Sequence, residues 1–234
     1  MKYTQWAIEF ANGFKISETV TTSWLIMIGI IIMALIVTRN LQPMPTTKRQ
    51  IMLEYVIGML RDLVRGNMGD DIERKMPNML PYLGSLFLFF TCSNLIGLLG
   101  FKSPTTDIDT TLAWALITCF LIYYEGVKVK GPGYFKGLME PVPVMLPLNI
   151  VGEFARPISL TFRPFGNILG GTVIMGLLYQ FLGFISTLIP NVSIPFLQLL
   201  IPVPLHLYFD LFAGVLQAFI FIMLTMVFVS DAVQ

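Results

Sequence analysis

Charge is scarce in this chain: 12% of residues are charged and 55% are hydrophobic. That leaves too few polar groups to coat a water-soluble globule. The charges present also balance, with Lys plus Arg at 15 and Asp plus Glu at 14, so no excess of one sign indicates a nucleic-acid partner or an acidic substrate. Histidine occurs once, which excludes a multi-histidine centre. The two cysteines, Cys92 and Cys119, lie inside apolar runs with neither metal-ligand spacing nor a disulfide framework, and read as small buried hydrophobes. His-Glu-x-x-His, Gly-x-Ser-x-Gly and phosphate-loop motifs are missing, so no intramembrane enzyme, metal site or cofactor is expected. No repeat relates the two halves, against a repeat-built carrier.

Long apolar runs are present instead, and they predict an all-α polytopic membrane protein forming a single membrane domain over residues 1–234. Residues 20–38 are just long enough to cross a hydrocarbon core of roughly 30 Å. Polar spacing after Lys2 and Lys15 and the lack of a small-residue cleavage site make this an uncleaved first helix rather than a secretory leader, with 1–19 outside. Residues 82–125 contain two more runs separated by a breaker-rich turn around Lys102, a transmembrane hairpin. Between them, in 46–80, Met52, Val56, Met59 and Leu63 recur at helical spacing among Arg61, Asp62 and Arg65, which predicts an amphipathic helix on the membrane surface. The adjacent Asp70 and Asp71 lack calcium-loop spacing and read as a solvated turn.

Basic residues orient the chain. Seven Lys/Arg lie in 39–81 and three in 128–136, against one in the turn at Lys102, so the first two segments are expected on the cytoplasmic side. The N-terminus then lies outside and the C-terminus in the cytoplasm, with 126–142 a cytoplasmic loop.

Residues 143–186 and 194–230 form the last two segments, broken at Ile189-Pro-Asn-Val192. A helix of about forty residues is roughly 60 Å long, twice the hydrocarbon thickness, which predicts a strongly tilted hairpin bent at Pro157, Pro164, Pro202 and Pro204. About five transmembrane helices result. Between Pro141 and Ser230 only Glu153, Arg156, Arg163 and Asp210 are charged, and intramembrane charge is costly and usually functional. Glu153 and Arg156 lie near the cytoplasmic surface and read as interfacial anchors or a mutual pair. Arg163 lies deeper, flanked by Phe162, Pro164 and Phe165, and a salt bridge to Asp210 is its purely structural reading. Folding the hairpin about Pro190 sets Arg163 opposite Gln217 and Asp210 opposite Gly170. By helical spacing Arg163, Asn167, Gly170 and Gly171 share one stripe, and His206, Asp210, Gly214 and Gln217 another.

The run Arg156-Pro-Ile-Ser-Leu-Thr-Phe-Arg163-Pro-Phe-Gly-Asn167 resembles the signature of F-type ATP synthase subunit a. Gln217-Ala-Phe-Ile-Phe-Ile-Met-Leu-Thr225 is similar to that family's final helix, Pro104-Thr-Thr-Asp-Ile-Asp-Thr-Thr111 to its outer turn, and Lys130-Gly-Pro-Gly-Tyr-Phe-Lys-Gly137 to its cytoplasmic loop. The resemblance implies a non-catalytic stator subunit in a bacterial plasma (inner) membrane. Its partners would be the c-ring, the b subunits of the peripheral stalk, the other ATP synthase subunits and the lipid bilayer. It implies two half-channels that couple ion flow to rotor rotation, with Arg163 as the barrier between them and Gln217 holding the guanidinium. Asn167, Gly170, Gly171 and Gly214 would be the small or polar residues facing the rotor. Depth then assigns Thr172, His206 and Asp210 to the outer half-channel, and Asn149 and Glu153, with Arg156 beside them, to the inner one. Asp210 is expected to have no basic partner at its depth. Histidine is the side-chain type that changes charge near neutral pH, so His206 is either a relay or a hydrogen-bonded structural residue. Where the family commonly carries Glu or His, this sequence has Thr172 and Asp210; H+ is the expected ion and Na+ the alternative.

Overall fold

The computed structural model describes residues 8–9, 15–45, 47–71, 75–131, 133–137, 143–187 and 196–233. The expected break at 189–192 lies outside them, as do most of residues 1–14 and 138–142. The architecture is all-α, with one two-residue antiparallel ladder near the N-terminus, Ile8–Glu9 (β1) against Lys15–Ile16 (β2).

Helix α1, Glu18–Thr38, opens with an acid in its first turn, which suits the helix dipole, and ends before Asn40, whose φ of 61° is left-handed. Its hydroxyls return to the helix's own carbonyls: Thr22 Oγ1 donates to Glu18 O, and Ser23 Oγ to Thr19 O. That leaves an apolar exterior, with Leu25, Ile28 and Ile31 more than half exposed, suited to lipid.

Helix α2, Lys48–Met68, stops at Gly69, which has a φ of 91° and donates its N–H to Arg65 O. One side of α2 exposes Met52, Tyr55, Val56 and Met59, whereas Val64 and Met68 are buried with Met226 and Val229. Helix α3, Met79–Leu95, and helix α4, Ile108–Lys130, form the hairpin. Its turn holds short 3-10 segments, Ile96–Leu99 and Pro104–Thr106. Leu98, Leu99 and Phe101 of this turn are exposed, whereas Ser103, Pro104 and Thr105 are buried and tied down. Ser103 Oγ donates to Ser93 O, Thr105 Oγ1 to Asn94 Oδ1, and Thr19 Oγ1 to Asp107 Oδ2.

After the short α5, Gly133–Gly137, helix α6 runs 42 residues, Leu146–Thr187. Pro157 lies inside it and cannot donate to the Glu153 carbonyl four residues back. Tyr123 Oη of α4 donates to that carbonyl at 3.2 Å, so the vacancy is filled from a neighbouring helix.

The final segment is not one straight helix. It consists of α7, Phe196–Leu200; α8, Pro202–His206; a π-helical stretch, Leu207–Phe212; and α9, Ala213–Val233. Prolines 202 and 204 withhold two donors, and the π stretch re-aims the helix just before α9. Helix α9 is the central strut. Ile222, Met226 and Val229 pack with Leu83 and Ile122, while Ala218 and Phe221 pack with Phe90, Ala115 and Leu160. Among the described residues, five helical stretches are long and apolar enough to cross a membrane: 18–38, 79–99, 108–130, 146–186 and 197–233.

Candidate functional site

Across the seam between α6 and the last segment, Asn167 meets Gln217, and Tyr179 meets His206 and Gln198. Arg163 sits mid-way along an apolar span with an exposed side chain, and its Nη2 donates to Ser159 Oγ one turn earlier at 3.4 Å. No acidic residue pairs with it among the described residues, so the salt bridge to Asp210 is not formed.

The hydrogen bond expected between Arg163 and Gln217 is also not formed. Gln217, 4% exposed, accepts from Asn167 Nδ2 at 3.4 Å, and its own Nε2 is buried without a partner. Gly171 meets Phe209, as a fold about Pro190 would set them, yet the Gln217 side chain bonds Asn167, one turn beyond Arg163 on α6.

The glycines divide. A Cβ on Gly170 would meet nothing within 4 Å, whereas one on Gly171 would lie 3.3 Å from Phe209 Cδ1 and one on Gly214 3.1 Å from Asn94 Cβ. Gly171 and Gly214 therefore serve contacts within the chain, which differs from the rotor-facing role expected for them. At Gly214 the close approach is locked by Asn94 Nδ2, which donates to the Gly214 carbonyl at 2.7 Å.

Beyond Thr172, whose hydroxyl donates to Ile168 O at 2.9 Å, lie His206 and Asp210. Asp210 does have a basic neighbour, contrary to expectation: His206 Nδ1 is 2.6 Å from its Oδ2. The i, i+4 spacing that put both on one stripe makes the contact possible. The other ring nitrogen, Nε2, is 3.0 Å from Tyr179 Oη of α6.

At the opposite end, Glu153 and Arg156 form a mutual pair at 3.0 Å, and the Arg156 guanidinium lies 5.2 Å from the Phe228 ring centre. Asn149 is half-buried one turn before Glu153. In α5, burial pushes the Tyr134 phenol up, with the Glu153 carboxylate adding to the effect.

Sequence reasoning missed Tyr179, Ser159, Tyr123 and Asn94. Two of them were signalled. Tyr179 lies seven residues after Thr172 and so shares its face, and Asn94 is an amide inside an apolar run.

Long apolar helices, and within one of them an arginine with no acidic partner among the described residues, define a polytopic membrane protein with an intramembrane charge. The ATP synthase A chain family model matches residues 20–230. The sodium-ion-specific ATP synthase subunit a of Propionigenium modestum is 38% identical over 247 aligned positions, which cover 97% of this chain and 78% of that relative. The chain belongs to the ATP synthase subunit a family.

Proposed function

We propose that this chain is the stationary, non-catalytic subunit that forms two ion half-channels against the rotor c-ring and couples ion flow to rotation, with ATP made or hydrolysed on other subunits. The observation that carries this reading is Arg163. A guanidinium stays charged at any accessible pH, and within an apolar span such a charge requires a counter-charge. The described residues offer it only the Ser159 hydroxyl. A rotor carboxylate passing the exposed side of α6 would supply the missing partner, exchanging its ion as it does so.

In this reading Arg163 is the barrier. Asn167, braced by Gln217, and the unobstructed Gly170 form the surface the rotor approaches. Thr172, His206 and Asp210 line the outer half-channel, and Asn149 and Glu153 the inner one. The distribution of basic residues supports an N-terminus outside a bacterial plasma membrane and a C-terminus in the cytoplasm. The b subunits of the peripheral stalk hold the chain against rotor torque. The coupling ion is H+ or Na+; the sodium specificity of the Propionigenium modestum relative supports the second.

Affinity purification through this chain tests the reading. A ring of small carboxylate-bearing proteolipids should accompany it, and the reconstituted complex should make ATP from an ion gradient. A chain that purifies without such a ring, or a complex that hydrolyses ATP with no ion movement, would contradict it.

A further inference from the structure

Pro157 leaves one turn of α6 open, the turn that would run from the Glu153 carbonyl to the N–H of residue 157, because proline has no N–H to close it. That turn carries Glu153 and Arg156, two of the three charged residues of α6. Their side chains are 17% and 24% exposed, and Arg156 Nη1 lies 3.0 Å from Glu153 Oε1 and 3.1 Å from Oε2. The guanidinium also rests on the Phe228 ring of α9, so the pair is enclosed between helices.

Tyr123 closes the open turn from α4. Its half-buried ring packs with the apolar cluster that includes Ala115, Cys119, Leu160 and Phe221, which fixes where the hydroxyl points. The hydroxyl donates to the Glu153 carbonyl at 3.2 Å. A backbone carbonyl without a donor is costly inside an apolar span. The Arg156 guanidinium, on the same turn, is a charged and stronger donor that can swing to such a carbonyl, and doing so would take it from the Glu153 carboxylate. A neutral hydroxyl from a neighbouring helix satisfies the carbonyl and leaves the pair intact.

We infer that Tyr123 is a positioning residue for the inner path: by supplying the hydrogen bond that Pro157 withholds, its hydroxyl keeps Arg156 on the Glu153 carboxylate and so sets how an ion is held and released there. The inference rests on the reading of this chain as an ion path with Glu153 on its inner side. Tyr123 acts through the backbone of α6, so losing the hydroxyl changes the setting of the pair and leaves both charges in the chain.

The complete ATP synthase containing this chain, reconstituted in vesicles with its cytoplasmic face outward, provides the test. ATP-driven ion uptake is measured against ion activity at that face, with pH varied at constant Na+ and then Na+ varied at constant pH. Gradient-driven ATP synthesis is measured against the same ion inside the vesicle. Tyr123→Phe keeps the ring and removes the hydroxyl. It should raise the half-saturating ion activity at the cytoplasmic face about fivefold, with the inner-vesicle value and the subunit content unchanged. Pro157→Ala returns an N–H to the turn, so in that background Tyr123→Phe should have little further effect. If Tyr123→Phe alone fails to assemble, the Tyr123→Phe/Pro157→Ala double variant should assemble. An unmoved cytoplasmic half-saturation, an equal change at both faces, full additivity with Pro157→Ala, or a double variant that also fails to assemble would each overturn the inference and leave the ion-path reading standing. If the wild-type complex moves neither ion, the ion-path reading falls and the inference with it.

Discussion

Asn167 and Gln217, fifty residues apart in sequence, meet at 3.4 Å through an amide–amide hydrogen bond that leaves the Gln217 Nε2 buried and unpaired. A buried donor without a partner in the chain costs stability, about 1–3 kcal/mol. Gln217→Met removes the donor, and with it the long 3.4 Å bond from the exposed Asn167, and keeps the volume. Thermal unfolding of the detergent-solubilised complex should shift by no more than about 1 kcal/mol-equivalent, or rise, while coupled ion flow falls. A clear loss of stability with normal coupling would show the glutamine to be structural only.

Gly170 and Gly171 separate the surface offered outward from the contact within the chain. With nothing within 4 Å, Gly170→Ala should leave the subunit as stable or stabilise it by about 0.5–1 kcal/mol, because alanine is the better helix former. Gly171→Ala must displace Phe209 by a few tenths of an ångström and should lower stability. If the rotor passes Gly170, that variant slows ATP-driven ion transport despite its sound fold; unchanged transport would remove Gly170 from the rotor surface.

Asn94 holds the outer turn to the π-helical junction, accepting from Thr105 and donating to the Gly214 carbonyl. Asn94→Leu removes the bond to the Gly214 carbonyl and leaves the Thr105 hydroxyl only Ser103 Oγ, at 2.7 Å, and should cost about 2 kcal/mol of unfolding free energy. Thr105→Val in addition should add less than the sum of the two single effects, since both act on one network. Full additivity in the double-variant cycle would contradict a shared network.

The orientation is testable through Thr172. In a background lacking Cys92 and Cys119, Thr172→Cys should react with a small hydrophilic thiol reagent added from outside. Reaction only from the cytoplasmic side would reverse both the topology and the half-channel assignment.

The helices were legible because apolar runs and prolines carry their own physics, and Arg163 stood out because a charge in such a run is rare. The pairing across the seam was legible only to within one turn. Antiparallel geometry put Gln217 near residue 163, whereas its side-chain oxygen accepts from Asn167, one turn further along α6. Other features had no local signature. The Tyr123 bond to the Glu153 carbonyl exists because Pro157 vacates that acceptor, and which neighbour fills it depends on tertiary packing. The π-helical stretch likewise follows no composition rule. His206 and Asp210 were legible as a stripe, whereas Tyr179, their partner across the seam, needed the register of α6 against α8.

The most direct test of the account is Arg163→Ala in the complete, reconstituted ATP synthase, measuring ATP synthesis driven by an ion gradient alongside subunit content. Arg163 has one long contact, to Ser159, so its loss should leave assembly intact while gradient-driven synthesis disappears. An assembled Arg163→Ala complex that still makes ATP from the gradient would contradict the role of this residue as the barrier between two half-channels.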